Sequence, residues 1–280
     1  MTRIQVEELW SQSDEWSLDL FVGAAAQDDL ARALLALEGA DGGTRQRIEA
    51  LLDAWAARLP TPRVDTASGQ ADLLTTLLVD ELGLRGDQVD YTHPVNSQIS
   101  KVLERRRGLP ILLSVVWMEV GRRAGMPVEG IGLPGHFIVR VGGEGGEYAD
   151  PFEGGARLTA ADCRRRSSEV TGGQIPWEDA FLEPVDSQEL LRRVCRNLVA
   201  AHGQREEGAP LYRALRFLEA MSPEDPDVPL LRARVAEQHG AFPRALKIYR
   251  AIVDRWGETE AGQAARTRLG ELALLKIAET

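Results

Sequence analysis

Cysteine is scarce in this chain of 280 residues, which holds only Cys163 and Cys195. Two thiols make neither a disulfide framework nor the ligand spacing of a structural zinc site. They read as free thiols of a reducing, cytoplasmic compartment. Histidine is also rare. His93, His136, His202 and His239 follow no recognised ligand spacing, so neither a metal nor a cofactor is expected. Positive charge is in deficit, with a net charge of -10, which argues against a nucleic-acid partner because binding the phosphate backbone needs a basic surface. Long apolar runs are missing too. The longest, LPILLSVVWM from Leu109, is about half of the roughly 20 residues a membrane span needs, so no membrane partner is expected. The N-terminus is mixed and acidic, not basic and then apolar, so no signal peptide is read.

What remains is ordinary globular composition, in a length that suits one large domain or two modest ones. Two arginine runs, Arg105–Arg107 and Arg164–Arg166, stand against the acidic background. They read as solvated helix faces or as a small patch for an anionic partner.

Periodicity divides the chain into three parts, and the fold class expected is α+β. Residues 1–60 are helical, with Leu30, Leu34, Leu35 and Leu37 on one stripe and Ile48, Leu51, Leu52 and Trp55 on another. Residues 61–185 form the core. ADLLTTLLVDELG is a helix closed by Gly83, and NSQISKVLERRRG is a second, with Asn96 as its N-cap and Gly108 as its stop. PILLSVVWMEVGRRAG opens on Pro110, whose missing N–H costs nothing in a first helical turn. It is apolar almost all round, hence buried, and ends at Gly125. The period then changes to alternation in VEGIG, HFIVRV and EYADP, which read as strands of a small antiparallel sheet. Residues 186–280 are helical again. YRALRFLEAMSPEDP and PRALKIYRAIVDRWG align Ala214 with Ala245 and Leu218 with Tyr249, and Ala233 and Gly240 fit tetratricopeptide helix-pair spacing. A plain helical bundle is the alternative.

The loop GGEGG, residues 142–146, sets a hairpin register in which Val141 faces Glu147, Arg140 faces Tyr148 and Ile138 faces Asp150. His136 and Asp150 then become diagonal neighbours on one face, within hydrogen-bond reach. A carboxylate that orients an imidazole is the second half of a nucleophilic triad.

These residues carry a resemblance. NSQISKVLERRRGLPILLSVVWMEVGRRAGMPVEGIGLPGHFIVRV, followed by YADPFEGG, resembles bacterial transglutaminase-like proteins of the Sir-B type. In these a transglutaminase-like, papain-like core precedes tetratricopeptide-like repeats. The resemblance implies a Cys–His–Asp triad, with His136 and Asp150 at the last two positions. It puts the nucleophilic cysteine at Pro110, which carries no nucleophile, so transglutaminase, protease and peptide N-glycanase chemistry all lose their first step. It also implies a regulatory or accessory role in bacteria.

Other residues offer a nucleophile. Ser114 lies one turn after Pro110 on the same helix face, where it is either activated by His136 or simply a small packing residue. Cys163 sits near a helix start capped by Thr159, beside arginines that would lower a thiol pKa. Cys195 reads as core. The expectation is a non-catalytic scaffold that binds a protein or peptide through its C-terminal helices. The alternative is a hydrolase or acyl transferase using His136 and Asp150 with Ser114.

Overall fold

The computed structural model describes residues 11–60 and 64–278. The chain forms two compact units, one of Leu20–Val194 and one of Cys195–Thr280 with Met1–Asp19.

In the first unit the helices α2 (Leu30–Leu37), α3 (Gly42–Ala56) and α4 (Ala67–Leu74) follow α1 (Gln12–Ala25). Short polar side chains cap the starts of α2, α3 and α4. Asp29 accepts from Arg32 N–H, Asp41 from Thr44 N–H and Thr66 from Gly69 N–H, each satisfying an otherwise orphaned donor. Beyond α4 the chain widens to a π-helix over Thr75–Glu81, where the Thr75 hydroxyl donates to Ala71 C=O. A short strand β1 (Arg85–Gly86), α5 (Ile99–Arg105) and β2 (Arg107–Gly108) come next, and β1 pairs with β2 in parallel.

Helix α6 (Pro110–Ala124) is the centre of this unit. Every residue from Pro110 to Trp117 is buried, as its continuous apolar sequence demands. It packs on α2, α3 and α5 and on the sheet. Gly125 ends it in the left-handed region, φ 66°. The sheet is an antiparallel meander of β3 (Val128–Ile131), β4 (Ile138–Val141), β5 (Glu147–Asp150) and β6 (Ala156–Leu158). Arg140 pairs with Tyr148 and Val141 with Glu147, the register expected from the GGEGG loop. Helix α7 (Ala160–Thr171) follows, opened by a full capping box between Thr159 and Asp162. Its Cys163 joins Ile131, Leu133 and Ile138 in a buried cluster with Tyr148 and Leu158.

Helix α8 (Ser187–Gln204) leads into the second unit. There α9 (Gly208–Met221), α10 (Asp227–Gln238), α11 (Phe242–Trp256) and α12 (Glu260–Ala278) each pack on the next. Ala214, Ala233, Ala245 and Ala265 are buried, so small side chains sit inside these helix contacts. Arg232 is buried as well, held by Glu219 at 2.7 Å and the Tyr212 hydroxyl at 2.7 Å.

Several expectations are corrected. Asn96 does not cap α5. It lies in a 3-10 turn over Pro94–Ser97, and the α5 cap is Gln98, with no side-chain bond. Gly108 does not stop that helix either, because Arg106 turns the chain first, at φ 59°. The Arg105–Arg107 run is therefore no helix face. It ends α5 and enters β2, with Arg106 lying over the Trp55 ring at 4.4 Å.

Candidate functional site

Two adjoining turns build the site. Strand β4 begins at Ile138, so His136 sits just ahead of it in the turn LPGHF, where its N–H bonds Leu133 C=O at 3.2 Å. Gly135 holds φ 73°, and a Cβ there would come within 2.6 Å of Val170. Glycine is required on both counts, and the turn fixes the imidazole that follows. Asp150 closes β5 and is fully buried.

His136 Nε2 lies 2.8 Å from Asp150 Oδ2. The Phe152 ring stands edge-on to the imidazole, with centroids 6.2 Å apart. The carboxylate does more than hold the histidine. Its Oδ1 accepts from Phe152 N–H at 3.0 Å and Glu153 N–H at 3.3 Å. Its Oδ2 also accepts from Arg166 Nη1 at 2.7 Å. A buried charge needs such partners. Arg166 escaped the sequence reading, as did Phe152. The available signal was the capping box, which fixes the register of α7. Arg164 and Arg165 then face solvent, while Arg166 turns inward with Cys163.

The expected site residues separate into those that meet and those that do not. His136 and Asp150 are bonded. Pro110 occupies the first turn of α6, as expected. Ser114 is fully buried and, among the described residues, its hydroxyl has no hydrogen-bond partner, so it is not bonded to His136. Cys163 is buried with its thiol pushed up to about 11, first by desolvation and then by Asp162 and Asp150. Arg166 pulls the other way and does not prevail, which corrects the expectation of an activated thiol. Burial raises the Cys195 thiol further still. Among the described residues, no hydroxyl or thiol bonds the remaining ring nitrogen of His136.

The other histidines lie elsewhere. His93 Nδ1 accepts from Val95 N–H at 3.2 Å and caps a 3-10 turn. His202 bonds Glu207 at 2.6 Å, and His239 ends α10. The described residues contain no group of three or more His, Cys, Asp or Glu able to hold a metal ion, and no helix long and apolar enough to cross a membrane.

Asn96, fully buried, organises the entry to α6. Its Nδ2 donates to Asp90 C=O at 2.7 Å and its Oδ1 accepts from Arg105 at 2.8 Å. Its own carbonyl accepts from Leu109 N–H at 3.1 Å. Arg105 in turn reaches Asp87 at 2.7 Å.

The profile of the transglutaminase-like superfamily matches residues 43–196. A UPF0162 protein of Xylella fastidiosa is 32% identical over 204 residues, covering 71% of this chain and 73% of its own. A UPF0162 protein of Pseudomonas aeruginosa is 33% identical over 142 residues, covering 50% and 52%. Mouse F-box only protein 21 is 31% identical over 193 residues, which are 64% of this chain and 30% of its own. No solved structure matches.

Proposed function

The chain belongs to the transglutaminase-like superfamily, and on that premise we propose that it is a non-catalytic member, a cytoplasmic binding module with a regulatory role. One observation carries the reading: among the described residues, the imidazole bonded to Asp150 has no nucleophile on its other nitrogen. The residue that opens α6 is a proline, and the nearest hydroxyl on that helix, Ser114, is buried without a partner. A hydroxyl attacks a carbonyl only when a base within about 3 Å takes its proton. The bonded pair then has a structural role, tying the turn before β4 to the end of β5.

The binding surface in this reading is the helical succession α9–α12, taken as tetratricopeptide-like repeats that hold a protein or peptide. Buried alanines at 214, 233 and 245 support that assignment, since close helix approach needs small side chains.

The test is turnover of p-nitrophenyl esters and of amide substrates by the purified protein and by H136A, with circular dichroism to confirm folding. Equal background rates are expected. Hydrolysis or acyl transfer that H136A abolishes in a folded protein overturns the reading.

A further inference from the structure

Arg85 and Arg107 are direct partners in the β1–β2 ladder. Like charges placed opposite each other across a ladder repel, and a nearby carboxylate would relieve them. Here none does. Arg85 donates to two carbonyls, Val79 C=O at 2.9 Å and Leu84 C=O at 3.0 Å. Among the described residues, Arg107 makes only a long contact to Gly86 C=O, 3.5 Å. Among the described residues, neither guanidinium has an anionic partner.

Both line one cleft of about 560 Å³, a volume in the range of small-molecule sites. Its two carboxylates are already engaged. Asp87 takes Arg105 at 2.7 Å and two backbone N–H groups. Glu153 faces Arg166 at 3.7 Å. The floor is the Phe152 ring against bare backbone. A Cβ on Gly86 would sit 2.5 Å from that ring, and Gly86 N–H bonds Phe152 C=O at 3.1 Å. The same ring meets His136 edge-on. The cleft thus holds two arginines that are direct ladder partners and, among the described residues, have no carboxylate partner, beside the Phe152 ring, in a protein of net charge -10.

We propose that this cleft binds a small polyanion, a phosphate ester or a di- or tricarboxylate, whose charges are taken by Arg85 and Arg107, the two ladder partners that line it. An anion bridging them converts the repulsion into two charge-assisted contacts, and guanidinium geometry suits both oxyanions. The site goes beyond the binding-module reading, because it lies in the first unit and involves none of the C-terminal helices.

Calorimetric titration of the full chain with inorganic pyrophosphate and with citrate, at about 150 mM salt where long-range attraction is screened, tests it. Saturable 1:1 binding of at least one probe is expected. Arg107→Gln, at an exposed residue whose loss leaves the fold intact, should weaken it about tenfold, the scale of one charge-assisted contact. Arg85→Gln should weaken it similarly. Lys101→Gln removes the same charge from an exposed residue paired with Glu104 and should leave affinity unchanged. Binding of pyrophosphate alone assigns a phosphate ester, and citrate alone a carboxylate. No saturable binding to either probe overturns the proposal, as does equal weakening by Lys101→Gln.

Discussion

Arg166 and His136 meet on one oxygen of Asp150, at 2.7 Å and 2.8 Å. In a working dyad the carboxylate is there to favour a charged imidazole. Here a permanent cation shares that oxygen and makes Asp150 the hub of a structural network. Asp150→Ala would leave two backbone N–H groups without their acceptor around an emptied, fully buried position, and Arg166 with only Glu153 at 3.7 Å. Because Arg166 keeps some solvent and a second carboxylate, the loss should lie below that of a fully buried pair, at about 2–4 kcal/mol. His136→Ala leaves Asp150 still paired with Arg166 and should cost only about 1–2 kcal/mol. Denaturant unfolding of both variants checks the order. Equal losses would mean that the imidazole, not the guanidinium, is the main support of the carboxylate.

Ser114 separates the competing readings by stability alone. A buried hydroxyl without a partner has lost its water and gained nothing. Alanine in its place, on an α-helix, removes that penalty and raises helix propensity. Ser114→Ala should therefore be more stable than the parent by about 1 kcal/mol, with no change in any measured activity. A clear loss of stability would show that the hydroxyl bonds something in solution.

The thiols are expected to be silent in the native protein. Burial pushes the Cys163 thiol up to about 11 and both cysteines are fully buried, so at pH 8 neither offers an accessible thiolate, the reactive species. A disulfide-exchange reagent such as DTNB should report no rapid thiol until denaturant is added, and then two. A fast native thiol would return Cys163 to consideration as a nucleophile.

Much of this arrangement was legible in the sequence, and the reasons are local. The GGEGG loop admits few hairpin geometries, and side-chain alternation then carries the register from Val141–Glu147 to the start of β4, where the LPGHF turn brings His136 onto Asp150. Pro110 and Gly125 bracket α6 because each suits one helix end. The capping box at Thr159 was equally plain. What escaped depends on contacts distant in sequence. The β1–β2 ladder has two residues per strand, too few for any periodicity to show. Asn96 has the chemistry of a helix cap, and only the approach of Arg105 and Leu109 gives it another use. Arg166 sat within a triplet that looked uniformly solvated, until docking of α7 turned one of the three inward.

Glu38 supplies the pH dependence. Its carboxyl, at the C-terminal end of α2, accepts from Ser100 N–H at 3.1 Å and from the Ser100 hydroxyl. Desolvation pushes its pKa up to about 7 from an ordinary 4.5, against the opposing pull of the Ser100 hydrogen bonds, the Ile99 amide and Lys101. The folded state thus keeps a proton that the unfolded chain releases between those two values. Stability from this group is fully present below about pH 4.5 and falls as pH rises toward 7, after which it changes no further. Glu38→Gln mimics the protonated form and removes the titration. Denaturant unfolding from pH 5 to pH 8 should show the parent losing stability relative to E38Q across that window. Parallel curves would mean that Glu38 titrates normally, with its carboxylate satisfied by the start of α5.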